Sequence, residues 1–193
     1  MFLNKSKVFL SLTKARLSFS VVFSTLAGYI LAVGVVNFVD LVLLLFGGYC
    51  MVGASNSFNQ IIEKDKDALM DRTKSRPLPT KKISTSNAFW ISVLLTLTGL
   101  GILYTINYKT AFFAAVSVFI YTCIYTPLKP ITPLSVFVGA IPGAIPFMLG
   151  WVAATNSFGI EPGTLFMIQF FWQFPHFWAL GWMLDDDYKK AGF

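Results

Sequence analysis

The chain has 193 residues, of which 55% are hydrophobic and only 12% are charged. Soluble domains usually carry about 25% charged residues, so this composition excludes an ordinary soluble protein and predicts a membrane protein. The formal net charge of +6 does not require a nucleic-acid partner, because the positions of the basic residues have a topological explanation.

Long stretches without any Asp, Glu, Lys or Arg follow one another along the chain. A spanning helix needs roughly 20 mostly apolar residues, and a backbone in lipid must satisfy its own hydrogen bonds. We therefore predict an all-α fold, a polytopic transmembrane helical bundle that forms one membrane domain over residues 1–193. Its six spans are expected at about 17–37, 41–58, 84–107, 110–128, 134–155 and 163–184, with a polar motif loop at 59–82.

The basic residues gather at one end of this predicted bundle. If the gaps between spans alternate in side, all of the 15 Lys and Arg residues except Lys109 fall on the side of the N-terminus. The positive-inside rule assigns the rich side to the cytoplasm. We expect an integral protein of a bacterial-type cytoplasmic (inner) membrane, in contact with the lipid bilayer, with its N-terminus and motif loop in the cytoplasm.

The motif loop begins with oxygen-bearing side chains at a helical spacing. Asn59, Glu63 and Asp67 are four residues apart, so they would share one face if the second helix continued past the membrane surface. Neighbours in this row would lie roughly 6 Å apart along the axis. Such a row suits Mg²⁺ held through waters and a shared diphosphate. The alternative is a solvated loop whose acids pair with its own lysines.

Basic residues follow the acids in the same loop, at Arg72, Lys74 and Arg76. They could meet the remaining charge of a bound diphosphate. Acids and bases interleaved at the mouth of an apolar bundle suit a prenyl diphosphate, which joins a metal-bound polyanion to a hydrocarbon tail.

Polar residues also interrupt the sixth predicted span. Gln169, Gln173 and His176 fall at i, i+4 and i+7, and polar groups at membrane depth usually face a cavity or the bundle interior. This stripe predicts either contact with a substrate or an interhelical hydrogen bond. In the fifth span, a repeated Gly-Ala-Ile-Pro at 139–146 predicts a kinked helix.

Several segments resemble one family in the same order. Residues 59–79, NQIIEKDKDALMDRTKSRPLP, resemble the first acidic motif of the UbiA-type intramembrane prenyltransferases, and especially their heme branch. The family pattern has Asp at the positions of Gln60 and Glu63, of which Glu63 keeps a carboxylate. Residues 12–29, 125–151 and 172–182 extend the resemblance over nearly the whole chain.

The resemblance implies a reaction and a set of site residues. It implies transfer of farnesyl from farnesyl diphosphate to the vinyl group of protoheme IX, giving heme O, with Mg²⁺ as cofactor. The implied catalytic residues are Asn59, Glu63, Asp67, Tyr125 and Lys129. The implied metal ligands are Asn59, Glu63, Asp67, Asp186 and Asp187. The implied substrate-binding residues are Arg16, Arg72, Arg76, Gln173, His176, Asp187 and Tyr188.

Two other functions remain open on the sequence. One is prenylation of an aromatic acceptor such as 4-hydroxybenzoate, and the other is a non-enzymatic membrane carrier. Members of the family run to about nine spans, so we expect this chain to contain six of nine and to be incomplete at its C-terminus. No oligomeric state is predicted.

Overall fold

The computed structural model describes residues 2–192, with side-chain surroundings for residues 5–192. Every regular element in that range is helical, as the sequence predicts. The elements are α1 Phe2–Leu12, α2 Ala15–Ala32, α3 Phe38–Ile62, α4 Lys64–Asp67, α5 Thr85–Ile106, α6 Tyr108–Phe119, a π-helical segment Ile120–Tyr125, α7 Thr126–Leu128, α8 Ser135–Thr155, α9 Ile160–Met183 and α10 Asp185–Ala191.

Five helical stretches are long and apolar enough to cross a membrane. They are α2, α3, α5, α8 and the continuous run Tyr108–Leu128, which confirms the prediction of an integral membrane helical bundle. Helix α9 has 24 residues and coincides with the sixth predicted span. It is not among these five stretches, and Glu161, Gln169, Gln173 and His176 lie in it, so the count of six spans stays a prediction.

The helix ends differ from those expected where the sequence has no charge to mark them. The first predicted span was too long, because α2 stops at Ala32 and residues 33–37 form an apolar connection. Asn37 then caps α3, since its side-chain oxygen accepts hydrogen bonds from the backbone N–H groups of Val39 and Asp40. Helix α1 was not predicted.

The long helices pack in a closed sequence of neighbours. Helix α3 packs on α5, α5 on α6, α6 on α8, α8 on α2, and α2 again on α3, while α9 packs on α8. The main apolar core is shared by this ring and includes Leu44, Leu103 and Val152, all fully buried. The ring fixes the ends of α2, α3 and α7 relative to one another.

Helices α2 and α8 approach so closely that only glycine fits at their contact. A Cβ atom on Gly28 would lie 2.0 Å from the carbonyl oxygen of Phe147, and one on Gly150 would lie 2.0 Å from that of Thr25. Small residues permit such close packing in membranes. Helix α8 stays helical through Pro142 and Pro146, so the prolines do not end it.

The fourth predicted span is not a regular α-helix throughout. Its second half contains the π-helical segment Ile120–Tyr125. The hydroxyl of Thr126 donates to the carbonyl of Tyr121 at 2.7 Å, which also accepts from the backbone N–H of Thr126. π-Helical segments are rare in proteins, but those that occur are frequently found at functional sites.

Replacing Gly150 by Ala tests the close contact. The added methyl would meet backbone rather than a movable side chain, so we expect the free energy of unfolding to fall by about 2 kcal/mol, as for other overpacked sites. Gly101→Ala is the matched control, because nothing lies within 4 Å of its Cβ position and alanine favours helix. Unfolding in mixed micelles measures both, and equal stability of the two variants would contradict the contact.

Candidate active site

A row of buried oxygen ligands forms where α3 leaves the membrane-spanning region. The backbone N–H of Glu63 donates to the carbonyl of Asn59 at 2.9 Å, and that of Asp67 to the carbonyl of Glu63 at 2.7 Å, so the helical pitch continues into α4. Asn59, Glu63 and Asp67 are 3%, 6% and 0% exposed. We call these three residues the acidic row. They share one buried face, as the spacing predicts.

The last member of the row is paired with a cation from the motif loop. One guanidinium nitrogen of Arg76 donates to both carboxylate oxygens of Asp67, at 2.8 and 2.7 Å. The hydroxyl of Thr73 donates to the Asp67 carbonyl at 2.8 Å. The loop therefore folds back onto α4, and Asp67 pairs with a basic residue of the same loop in a buried position instead of in solvent.

The middle member is paired with a cation that directly follows α7. The ammonium of Lys129 lies 2.8 Å from a carboxylate oxygen of Glu63 and 5.7 Å from the ring centroid of Tyr125. Tyr125 is 8% exposed, and its ring lies 5.3 Å from that of Tyr121 and 6.0 Å from that of Phe177. Lys129 thus pairs with the acidic row directly, and Tyr125 lies beside Lys129.

The first member is paired with a residue that the sequence analysis missed. The ammonium of Lys14 donates to the Asn59 side-chain oxygen at 3.0 Å. The pKa of Lys14 is lowered to about 7, chiefly by burial and also by the nearby charges of Arg76 and Lys129, whereas Glu63 and Asp67 oppose the shift. Lys14 is therefore a poorly solvated cation that an anionic ligand would help to keep protonated.

The conformation of Lys14 explains why it was missed. Its φ of 47° and ψ of 55° put it in the left-handed region between α1 and α2, which non-glycine residues seldom adopt. This turn aims its side chain at α3. Arg16, which the resemblance implies as a substrate-binding residue, has an exposed side chain on α2 and lies outside these buried pairs.

The second acidic segment is tied to the motif loop. The two carboxylate oxygens of Asp187 accept hydrogen bonds from the backbone N–H groups of Asp71 and Arg72, at 3.0 and 3.1 Å. Hydrogen bonds from Lys190 and then Lys74 lower the pKa of Asp71 to about 2. Helix α10 thereby lies across the loop, at the same end of the bundle as the acidic row.

Tyr188 also faces this region from α10. Burial raises the pKa of its phenol, while the charge of Arg72 lowers it and that of Glu63 raises it. Its hydroxyl is therefore within electrostatic reach of both the loop and the acidic row. The side chains of Arg72 and Asp186 are exposed.

Two polar residues of α9, Gln173 and His176, lie in different surroundings. The side-chain amide of Gln173 donates to the carbonyl of Gly143 at 3.3 Å, which is the interhelical hydrogen bond expected as one alternative. His176 is exposed, and its ring lies 6.1 Å from that of Phe177. Neither side chain belongs to the ion pairs of the acidic row.

Gln60 has a structural task that explains its departure from the family pattern. Its amide donates to the carbonyls of Ser11 at 3.1 Å and Leu12 at 2.7 Å. These are among the carbonyls left without helical partners at the C-terminal end of α1. An ionised Asp could not donate these hydrogen bonds, so the amide is suited to holding α1 against α3.

The donor set of the acidic row suits Mg²⁺ shared with a phosphate ligand. Within residues 5–192, no group of three His, Cys, Asp or Glu side chains is arranged to hold a metal ion by itself. Mg²⁺, however, is usually bound through one or two carboxylates together with substrate phosphates. Glu63 and Asp67 supply two carboxylates, and Asn59 an amide oxygen, on one face.

Comparison with known proteins identifies the family of the chain. Residues 21–193 match the UbiA prenyltransferase family, and the chain belongs to this family. It is 66% identical over 188 residues to protoheme IX farnesyltransferase of Flavobacterium psychrophilum, covering 96% of this chain and 63% of that protein. It is also 66% identical to the enzyme of the same name from Christiangramia forsetii, covering 96% of this chain and 62% of that protein.

Solved structures share the fold at low sequence identity. A structure of digeranylgeranylglyceryl phosphate synthase has a TM-score of 0.81 at 20% identity, covering 97% of this chain and 66% of that one. A UbiA homologue from Archaeoglobus fulgidus, bound to DMAPP and Mg²⁺, has a TM-score of 0.74 at 20% identity, covering 95% of this chain and 66% of that one. The chain spans 63% and 62% of the length of the two protoheme IX farnesyltransferases.

Arg76→Gln tests the buried pair. It leaves the fully buried Asp67 carboxylate without its cation, and breaking such a pair from one side costs about 3 kcal/mol or more. We therefore expect a loss of that size in the free energy of unfolding. Lys74→Gln is the matched control in the same loop, because its pair with Asp71 is exposed and exposed pairs contribute little. A greater loss in the control would contradict the assignment.

Asp187→Asn tests the attachment of α10 to the loop. An amide can replace only one of the two acceptor oxygens, so the backbone at Asp71 and Arg72 should be released more often. We expect faster trypsin cleavage after Arg72 and Lys74, followed by mass spectrometry. Asp186→Asn, which alters the exposed neighbour, should cleave at the rate of the unaltered protein; acceleration in both variants would indicate general unfolding of α10.

Proposed function

We propose that the full-length protein transfers a farnesyl group from farnesyl diphosphate to the vinyl group of protoheme IX, giving heme O. The observation that carries this proposal is the acidic row, in which each oxygen ligand lies against a cation from a different part of the chain. The identity to proteins named protoheme IX farnesyltransferase supports the choice of donor and acceptor.

The cations would hold the diphosphate head. Lys14, Arg76 and Lys129 converge on the acidic row from the α1–α2 turn, the motif loop and the residue after α7. A diphosphate is a stronger ligand for these groups than a single carboxylate, because it offers more anionic oxygens. On binding, the cations would turn from the row to the phosphate oxygens, and the freed row would face the metal.

Asn59, Glu63 and Asp67 would hold Mg²⁺, which when bound neutralises the charge that develops on the departing diphosphate. This assignment is supported by the burial of all three residues and by the Mg²⁺ in the Archaeoglobus fulgidus homologue. Asp187, whose oxygens accept two backbone hydrogen bonds, would serve first to keep the motif loop and Arg76 in position. Asp186 and Asp187 as further ligands remain a proposal.

The transfer would begin with cleavage of the bond between farnesyl C1 and the diphosphate oxygen, which leaves with the electron pair. The vinyl π electrons would then form the new carbon–carbon bond to C1. Water would add to the resulting carbocation and lose a proton, leaving a hydroxyl group. Tyr125 would stabilise the allylic cation through its ring face, and the pre-arranged charges at the diphosphate would supply the largest stabilisation.

The orientation follows from the charges at the two ends of the bundle. Lys109, the basic residue outside the rich side, donates to the carbonyl of Asn156 at 2.8 Å, at the end of α8 remote from the acidic row. We infer that the acidic row faces the cytoplasm of a bacterial inner membrane, by the positive-inside rule. Diphosphate would then enter from the cytoplasm, and the prenyl chain would extend into the part of the bundle that lies within the bilayer.

Asp67→Asn in the full-length protein tests the assignment of the row. The loss of one buried carboxylate should lower Mg²⁺-dependent formation of heme O at least about 100-fold, as expected for removal of a charge-stabilising group. The measurement is the mass spectrum of heme after incubation with farnesyl diphosphate, with and without chelator. Asp65→Asn is the matched control in α4, because Asp65 is exposed and lies two residues from Asp67.

The same assay separates the alternative functions. Full activity of Asp67→Asn would refute the metal assignment while leaving the reaction intact. Unmodified heme together with prenylation of 4-hydroxybenzoate would favour the aromatic acceptor. Unchanged substrates with both acceptors, in protein shown to be folded, would favour a carrier.

A further inference from the structure

A cavity lies beside α1, apart from the acidic row. Its volume is about 780 Å³, and it opens between α1, the end of the motif loop and the start of α5. Its walls combine apolar side chains, among them Val8 and Ile91, with polar groups of Ser84 and Asn87. No member of the acidic row lines it.

The charge of this cavity has one sign. Lys5, Lys81 and Lys82 line it, and none of the described residues in its wall is acidic. The N-terminal end of α5, capped by Ser84, opens at the same place; the Ser84 hydroxyl accepts from the backbone N–H of Asn87 at 3.1 Å. A helix N-terminus adds positive potential, so lysines and helix together favour an anion.

The cavity also lies at the level where a bilayer meets water. Helix α5 is one of the five helices that could span a membrane, and it begins at Thr85. Trp90, in its second turn, lines the cavity and is 65% exposed. Tryptophan is enriched at this depth, with its ring among the headgroups and upper acyl chains.

The backbone conformation at Lys81 is a separate indication that this cavity is a functional site. Its φ is 55°, a left-handed conformation that is unfavourable for a residue with a Cβ atom and that tends to persist at functional sites. The turn is held by hydrogen bonds from the backbone N–H of Lys81 to Leu78 and from that of Lys82 to Pro77. These two lysines are thus fixed in place rather than carried on a loose loop.

We propose that this cavity binds an anionic phospholipid, with its phosphate against Lys5, Lys82 and the start of α5. The acyl chains would continue along Trp90 and the lipid-facing side of α5. An apolar wall beside lysines at the interface matches both parts of such a lipid, whereas a soluble anion would leave the apolar wall without a partner.

The bound lipid would stabilise the segment that leads into the active site. Leu12, Leu78 and Ala88 form a buried cluster, with Ile61 and Ile83 packed against it. This cluster joins α1, the motif loop, α5 and α3. The site is nevertheless independent of the proposed reaction, because lipid binding is measured without substrate.

The test compares two double variants of the full-length protein in detergent. Lys5→Gln with Lys82→Gln removes two lysines of the cavity, and Lys7→Gln with Lys66→Gln removes two charges from the same end of the bundle outside it. Titration with phosphatidylglycerol, followed by native mass spectrometry, should show about 30-fold weaker binding for the first pair, since each lysine contributes about fivefold. The second pair should bind like the unaltered protein.

A second measurement applies even if the first pair does not fold. The Trp90 emission is obtained by subtracting the spectrum of Trp90→Phe. In vesicles of phosphatidylcholine, one fifth of brominated phosphatidylglycerol should quench this emission more than one fifth of brominated phosphatidylcholine does. Equal quenching by the two lipids, equal binding by the two double variants, or displacement of the lipid by millimolar inorganic phosphate or farnesyl diphosphate would each overturn the proposal.

Discussion

Neutralisation of buried carboxylates is the constraint on which this end of the molecule depends. Asp67 is fully buried and Glu63 nearly so, and an ionised carboxylate that loses its water is costly unless a cation accompanies it. Arg76 and Lys129 supply those cations. If either were displaced without a replacement, its carboxylate would stay buried without a cation, and the arrangement of the acidic row would be destabilised.

The three cations reach the row because irregular backbone delivers each of them. Lys14 stands in a left-handed turn, Arg76 in a loop that folds back over α4, and Lys129 follows a π-helical segment. The regular helices supply the frame, and the close contact of α2 with α8 fixes it. A rigid frame with irregular connections is a common way to hold charged groups at a defined separation.

The fold was predictable from the sequence because its signal is distributed over long apolar runs. Asn59, Glu63 and Asp67 were predictable too, since a spacing of four has one meaning on a helix. The role of Lys14 was not predictable, because no neighbouring residue indicates a left-handed turn at this position. Gln60 looked like a departure from a ligand pattern, but its partners are carbonyls of α1, which only three-dimensional packing brings near. Residues 33–37 carry no charge and so looked like membrane helix.

The π-helical segment has a consequence for helix register. One residue more than an α-helical turn is accommodated between Ile120 and Tyr125, and each residue of an α-helix corresponds to a rotation of about 100°. Everything after it, including Tyr125 and Lys129, is therefore turned by that angle relative to an uninterrupted helix. A regular α-helix over the same sequence would have the same polarity and hydrophobicity, yet it would rotate the ammonium partner of Glu63 toward a different neighbour.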